Sequence, residues 1–170
     1  DFIKGHSQLQ AADKLSLVVL LYQVYHRHLP QQQSLDAFYY WGDMMLKDFD
    51  DIDKSIASAE SVFSNLFSQK EIEARFDYIE ETQKLLIRDF WGAFGDKLSK
   101  EQQVFLQLWE KLFPVYEDFK KLLLEKNIGY DGMIFREVAE HVESIDFNRQ
   151  YLFAGFNAFT RAEKKIINYL

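Results

Sequence analysis

The 170-residue chain contains no cysteine, which excludes disulfides, cysteine-ligated metal centres and thiol nucleophiles. It has seven glycines and two prolines, too few turn residues for an all-β fold, which favours long helices. The longest apolar run, Leu17–Leu21, is far below the roughly 20 residues that cross a bilayer. We therefore expect a helical protein without a membrane partner, and a cytoplasmic location is compatible with the absence of cysteine.

Apolar and aromatic residues are plentiful, at 48% and 16% of the chain. This composition supports a folded core and argues against disorder. The formal net charge of -7 argues against phosphate-backbone binding by the whole surface. The predicted class is predominantly all-α, a bundle-like arrangement of several helices.

Helix start and stop signals recur along the chain. Ser16 and Ser34 are the expected N-caps of the first two helices, and Pro30 is the expected stop between them. Thr160 is the expected cap of the last helix. The first four predicted helices are Leu15–Leu29, a run from Ser34 through Met45, a short helix in SQKEIEARF, and residues 80–94. A long helix follows, capped by Ser99 and Gln102 and kinked at Pro114. The last two predicted helices are residues 131–142 and the segment after Thr160.

The amino-acid pattern changes from helical to strand-like near residue 145, where a domain boundary is expected. Residues 150–156, QYLFAGF, are the one good strand candidate in the sequence. A lone strand cannot satisfy its own backbone groups, so it requires a sheet from outside the chain or remains a loop.

Five aspartates lie in the stretch Trp41–Ile56, WGDMMLKDFDDIDKSI. On a helix, most of them fall on a wet face, where Asp43 with Lys47 and Asp50 with Lys54 have the favourable i,i+4 order. Asp53 falls at the margin of that face. One apolar face is predicted to contain Trp41, Met45, Phe49, Ile52, Ile56, Ala59 and Phe63.

Asp48 is the exception, because the same helical wheel places it within the apolar stripe beside Trp41. A buried carboxylate requires a partner. Either Asp48 pairs with a cation or backbone amides, or it caps a new helix with Asp51 at the third helical position. We assign these residues a structural role, and the replacement Asp48→Ala is then expected to lower stability without abolishing chemistry.

No catalytic, cofactor or metal site is predicted. An EF-hand starting at Asp48 fails because Ile52 stands where the third acid is needed. A di-iron site fails because Glu137 and His141 are four residues apart rather than three. The phosphate-binding and nucleophile motifs with fixed glycines are also absent from the sequence.

Two segments in the last third of the chain, GYDGMIFREVAEHV and LFAGFNAFTRAEKKIINYL, resemble parts of superfamily 1 helicases of the UvrD/RecB/AddA type. GYDGMIFREVAEHV resembles their DFDDLL helix, and LFAGFNAFTRAEKKIINYL resembles the VDEFQDT strand with its following helix. When LFAGFNAF is aligned with VDEFQDT, Phe156 corresponds to the aromatic residue of the motif and Asn157 stands in place of its glutamine. Ala154 and Gly155 stand in place of the Asp-Glu pair, and Ala158 in place of the second Asp. Because that acidic pair holds Mg²⁺ and positions water, the resemblance implies lost ATPase function.

Such a degenerate motif is similar to that of AddB-like subunits of bacterial helicase–nucleases. FYYWGDMMLKDFDDIDKSI likewise resembles a run in PD-(D/E)XK nuclease family proteins of Bacteroidetes type. The resemblance implies an inserted helical subdomain, 1B-like, over residues 1–144, and a return to a degenerate 1A-like helicase domain over 145–170.

The chain is accordingly interpreted as a fragment of a longer protein, itself neither ATPase nor nuclease and without a cofactor. Its implied partners are DNA, through the full-length protein, and a helicase subunit. The implied role is scaffolding or contacting DNA in break repair and recombination. The alternative is a helical protein–protein interaction module with no nucleic-acid role, which the acidic charge favours.

Overall fold

The computed structural model describes residues 2–29, 34–64, 100–145, 152, 154 and 158–170. About 75% of these residues are helical, which confirms the predominantly all-α class. The helices are α1 (Lys14–His28), α2 (Leu35–Lys54), α3 (Ala59–Ser64), α4 (Lys100–Glu125), α5 (Asp131–Glu140) and α6 (Arg161–Tyr169), with 3₁₀ turns at Lys4–His6 and Val142–Ser144.

Two of the three predicted caps that lie in described residues are confirmed. The Ser34 hydroxyl accepts the Ala37 N–H at 3.3 Å at the start of α2. Thr160 and Glu163 form a reciprocal capping box on α6. The predicted Ser16 cap is wrong, because the Asp13 carboxylate accepts both the Ser16 N–H, at 2.9 Å, and its hydroxyl, at 2.6 Å, so that α1 starts earlier.

Several predicted features lie outside the described residues. They are the short helix in SQKEIEARF, the helix over 80–94, the Ser99 cap, the Pro30 stop and most of the strand candidate 150–156. The helix α4 does continue through Pro114, and the kink expected there stays a prediction.

A two-residue parallel pairing joins two segments that are more than one hundred residues apart in sequence, and it was not predicted. Strand β1 (Gln10–Ala11) pairs with β2 (Ile128–Gly129). Asn127, with φ of 53°, makes the turn from α4 into β2, a left-handed conformation that asparagine tolerates. The segment NIG, residues 127–129, therefore follows the end of the long helix and contains the strand β2.

The chain forms two compact units. Unit 1 comprises residues 1–58 and 114–170, and unit 2 comprises residues 59–113. Within unit 2, the Trp109 indole N–H donates to the Phe63 carbonyl at 2.8 Å, and the two rings meet edge to face. The boundary predicted near residue 145 stays a prediction.

In unit 1, α2 packs against both α1 and α5, and α5 packs against α6. A Cβ at Gly42 would lie 2.5 Å from the Phe38 ring and 3.0 Å from the Val18 side chain, so the packing of α1 on α2 leaves little space for a larger residue here. The fully buried side chains of unit 1 include Val18, Leu21, Val24, Phe38, Phe49, Val115, Phe119, Leu123, Ile134, Val138 and Ile166. This core fixes α2 beside α5, and the candidate site lies between these two helices and α4.

Candidate functional site

Asp53, in the last turn of α2, is the one charged residue that is fully buried in the described part of the chain. Its Oδ1 accepts the Tyr116 hydroxyl at 2.6 Å, the Lys120 ammonium at 3.0 Å and the Arg136 guanidinium at 3.2 Å. Its Oδ2 accepts the Tyr130 hydroxyl at 2.5 Å. A buried carboxylate persists because four donors replace the water that it loses.

Two segments supply these donors, and local sequence explains each position. Tyr116 and Lys120 are four residues apart in α4, so they share one helix face. Tyr130 is the N-cap residue of α5, and Arg136 follows in its second turn. The donors thus come from two segments that are separate in sequence from Asp53, and the carboxylate ties both to the end of α2.

Arg136 connects the buried carboxylate to its surroundings. The same Nη1 that binds Asp53 also donates to the Ala57 carbonyl at 2.9 Å, while Nε donates to Glu140 Oε1 at 2.7 Å. Burial lowers the pKa of Arg136, but the Glu140 hydrogen bond and nearby negative charges outweigh it and raise the pKa. A planar guanidinium can serve these acceptors together, which a lysine ammonium in one position could not.

The two tyrosines stay protonated and act as donors. Burial, and then the neighbouring Asp53 carboxylate, raises the pKa of Tyr116 and raises that of Tyr130 well above its usual range. A phenolate beside a carboxylate in a buried site would be repelled. Both shifts favour the protonated hydroxyl, so Tyr116 and Tyr130 act as structural hydrogen-bond donors and not as proton donors or nucleophiles.

Asp50, one turn before Asp53, binds the start of α5. The Gly132 N–H donates to Asp50 Oδ1 at 2.5 Å, and the Lys54 ammonium holds Oδ2 at 2.6 Å. The latter is the predicted i,i+4 pair, which is confirmed. The N-cap residue of α5 makes no side-chain capping bond of its own. Asp50 of α2 supplies this capping bond instead, and its negative charge lies near the N-terminus of α5, where the helix dipole favours it.

Gly132 fits this contact because it has no side chain. A Cβ at this position would overlap the backbone carbonyl of Asp50. Backbone atoms cannot move aside as a flexible side chain can, so the approach of α5 to α2 requires glycine here. The residue is therefore a determinant of how the two segments fit.

A strained turn follows directly after Asp53. Ile56 has a φ of 48°, a conformation that is costly for a β-branched residue. Its N–H bonds the Asp53 carbonyl, and the Ala57 N–H bonds the Ile52 carbonyl, both at 3.0 Å, the helix-ending pattern that glycine usually provides. Partial burial of Ile56 against the cluster around α5 and α6, with the grip of Arg136 on Ala57, holds this turn.

The structure corrects the predicted roles of Asp48, Asp51 and Trp41. The Trp41 side chain is 51% exposed, and Asp48 and Asp51 are exposed too. The helix α2 runs unbroken from Leu35 to Lys54, so Asp48 caps no new helix, and Asp51 lies near its C-terminal end. The predicted apolar face also fails beyond Ile52, because α2 ends before Ile56 and a separate helix contains Ala59 and Phe63.

The error came from the choice of the centre of the apolar stripe. Taking Trp41 as core rotated the stripe toward Asp48, whereas the buried residues of α2 are Phe38, Gly42, Met45, Leu46, Phe49, Ile52 and Asp53. The signal that could have identified Asp53 is its spacing from Gly42 and Leu46, eleven and seven residues away, on one line of the helix. The predicted pair of Asp43 and Lys47 is replaced by one between Asp43 and Lys14, at 2.6 Å.

Residues of the degenerate helicase motif are described only in part. Ala154 and Ala158 are exposed, while Gly155, Phe156 and Asn157 lie outside the described residues. Within the described ranges, no three His, Asp or Glu side chains are grouped to hold a metal ion. None of the helices described is long and apolar enough to cross a membrane. Comparisons with protein-family models, curated proteins and solved structures give no match.

Proposed function

We propose that this chain is a non-catalytic helical part of an AddB-like helicase–nuclease, acting in the cytoplasm in the processing and repair of DNA double-strand breaks. One observation carries the proposal. The two stretches that bear much of the family resemblance, residues 38–56 and 129–138, bind each other in unit 1. Asp53 accepts from Tyr130 and Arg136, and Asp50 accepts from Gly132.

This contact gives the acidic residues of those stretches a structural role rather than a catalytic one. The Asp53 side chain is fully buried and its oxygens are taken by four donors. Asp50 is committed to Lys54 and to the start of α5. Both acids therefore stabilise the fold, and this favours a scaffold over a catalytic centre in the acidic stretch.

The two compact units do not have the bounds of the inserted subdomain that the resemblance implies, residues 1–144. Unit 1 is built from two separate stretches, and residues 59–113 form a second unit between them. In the proposed parent protein, the helicase-like region positions DNA, a separate PD-(D/E)XK domain cuts it, and a partner helicase subunit drives movement. The fragment would then contact DNA weakly, mainly through local basic groups, since its net charge is -7.

The proposal is tested with the purified chain, a fluorescent DNA duplex carrying a single-stranded end, and ATP with Mg²⁺. We expect weak DNA binding that decreases as salt increases, and ATP hydrolysis no faster than in a heat-unfolded control. Strong Mg²⁺-dependent ATP hydrolysis would refute the non-catalytic assignment. Sequencing the flanking coding DNA provides the family test, and the absence of a downstream PD-(D/E)XK motif would refute membership.

A second candidate function is a protein-interaction module without a nucleic-acid role. The observation that favours it is a group of exposed side chains on α2, where Tyr40 is 70%, Trp41 51% and Met44 43% exposed. Aromatic residues and methionine are enriched at protein interfaces. Because the exposed acids Asp48 and Asp51 lie on the same helix, the partner expected is a basic polypeptide segment. Unchanged backbone amide spectra when DNA is added at low salt would favour this function over the first.

A further inference from the structure

A cavity of about 320 Å³ lies in unit 1, and none of the residues of the Asp53 network lines it. Its polar lining includes His6, Gln8, Glu137 and His141, and its apolar lining includes Val138 and Ile145. The volume is at the lower end of the range for small-molecule sites, roughly 300–1,000 Å³. A ligand of a few heavy atoms would fit.

Glu137 gives the cavity its chemical character. Its Oε2 is buried and has no hydrogen-bond partner among the residues that the structure describes. A buried carboxylate oxygen without a donor is unfavourable, since it has lost water and gained nothing. Because Glu137 also lines the cavity, its carboxylate is the acceptor nearest to hand for a ligand with N–H or O–H groups.

The neighbouring imidazole adds to the excess of acceptors. His141 Nδ1 lies 2.9 Å from the Glu137 backbone carbonyl. A carbonyl only accepts, so this contact requires the proton on Nδ1, and in a neutral ring Nε2 is then an acceptor. The Gln8 amide contributes both an acceptor oxygen and an NH2 donor. One negative charge, several acceptors and two apolar side chains suit a compact organic cation with a short apolar part.

We propose that this cavity binds the ammonium group of a small primary amine, with Glu137 as its counter-ion and Val138 and Ile145 contacting the attached carbons. The ammonium could belong to a free amine or to the lysine side chain of another polypeptide. Both present the same three donors on an apolar stem.

The experiment observes the rings of the four histidines by NMR while propylammonium chloride is added, with sodium chloride at equal ionic strength as reference. We expect saturable shifts at His6 and His141. His26 and His28 are internal controls, because both lie in α1 and neither lines the cavity. Equal shifts with sodium chloride would overturn the proposal, and would indicate a cavity that holds only water and salt.

Two matched variants test the counter-ion. Glu137→Gln keeps the shape of the side chain and removes its charge, so we expect affinity to fall about tenfold or more, as the loss of a hydrogen bond to a charged group predicts. Glu143→Gln makes the same change in net charge at an exposed residue outside the cavity lining, and should leave affinity unchanged. Equal affinity in the two variants would refute the role of Glu137.

A further variant and probe complete the design. Gln8→Trp places a large ring in the cavity lining from an exposed position, where it does not threaten the core, and should block binding even if Glu137→Gln fails to fold. Retained binding in Gln8→Trp would overturn the proposal. Lysine capped at both ends replaces propylammonium in a parallel titration. Tighter binding of capped lysine would identify a polypeptide side chain as the natural ligand, and binding of propylammonium alone would identify a free amine.

Discussion

The replacement Asp53→Ala is the perturbation that most clearly separates a structural from an incidental aspartate. It removes the acceptor of two tyrosine hydroxyls and two cationic groups at once. The Tyr116 and Tyr130 side chains are almost fully buried, at 2% and 4% exposure, so water cannot easily replace the lost carboxylate. We expect a large loss of stability in unit 1.

The magnitude follows from the groups left without a partner. Each buried hydroxyl that loses its acceptor costs about 1–3 kcal/mol. Lys120 and Arg136 are 22% and 21% exposed at their side chains, so both can partly recover hydration and add less. The sum agrees with the about 3–5 kcal/mol measured when one partner of a buried ion pair is removed. Since a domain is stable by about 5–15 kcal/mol, this is a substantial fraction.

Urea unfolding followed by circular dichroism measures the effect. With a slope of about 2 kcal/mol per M, a 4 kcal/mol loss lowers the midpoint by about 2 M. The matched control is Asp51→Ala, an exposed aspartate near the C-terminal end of the same helix. Its removal should change stability by less than about 0.5 kcal/mol, because a negative charge there opposes the helix dipole. Equal stability of the two variants would refute the structural role of Asp53.

Three further predictions concern the surroundings of this site. Gly132→Ala should destabilise the chain by about 1–3 kcal/mol in urea unfolding, because its Cβ overlaps the Asp50 backbone, whereas Gly5→Ala, with open space around it, should not. Burial and then the Asp53 carboxylate raise the pKa of Tyr130, so the native state retains a proton that the unfolded state loses at high pH. The midpoint of urea unfolding should therefore fall as the pH rises above about 10. An equal fall in the variant Tyr130→Phe would contradict this prediction. Partial desolvation and then the Asp51 charge raise the pKa of Asp48, so its ionised form is unfavourable in the folded state. Asp48→Asn should therefore stabilise the chain at neutral pH, and this gain should disappear as the pH falls below 3.8, the ordinary pKa of an aspartate. A loss of stability in Asp48→Asn at neutral pH would contradict the prediction.

Most of the described helices could be predicted from the sequence because their signals are local. Ser34 and the Thr160–Glu163 box are caps that form within one turn. The parallel pairing of β1 with β2 could not be predicted in this way. Each strand is two residues long, too short for a periodic pattern, and the partners are more than one hundred residues apart, with Gln10 opposite Ile128.

The candidate site was missed because its meaning depends on tertiary contacts. A helical wheel shows which residues share a face but not how far the buried face extends, and Trp41 drew the predicted core away from Asp53. The four donors to Asp53 come from α4 and α5, and no local rule links Tyr116 or Arg136 to an acid in α2. The pair of Asp50 with Lys54 was predictable because its i,i+4 spacing is local.

The central claim is that the acidic stretch and the 129–138 segment form one buried network, and a double-mutant cycle between Asp53→Ala and Tyr130→Phe tests it most directly. Urea unfolding of the wild type, both single variants and the double variant gives the coupling free energy. The hydrogen bond joining Tyr130 to Asp53 predicts a coupling of at least about 1 kcal/mol, within the range for residues in contact. Effects that add to within about 0.3–0.5 kcal/mol, as for independent sites, would contradict the claim.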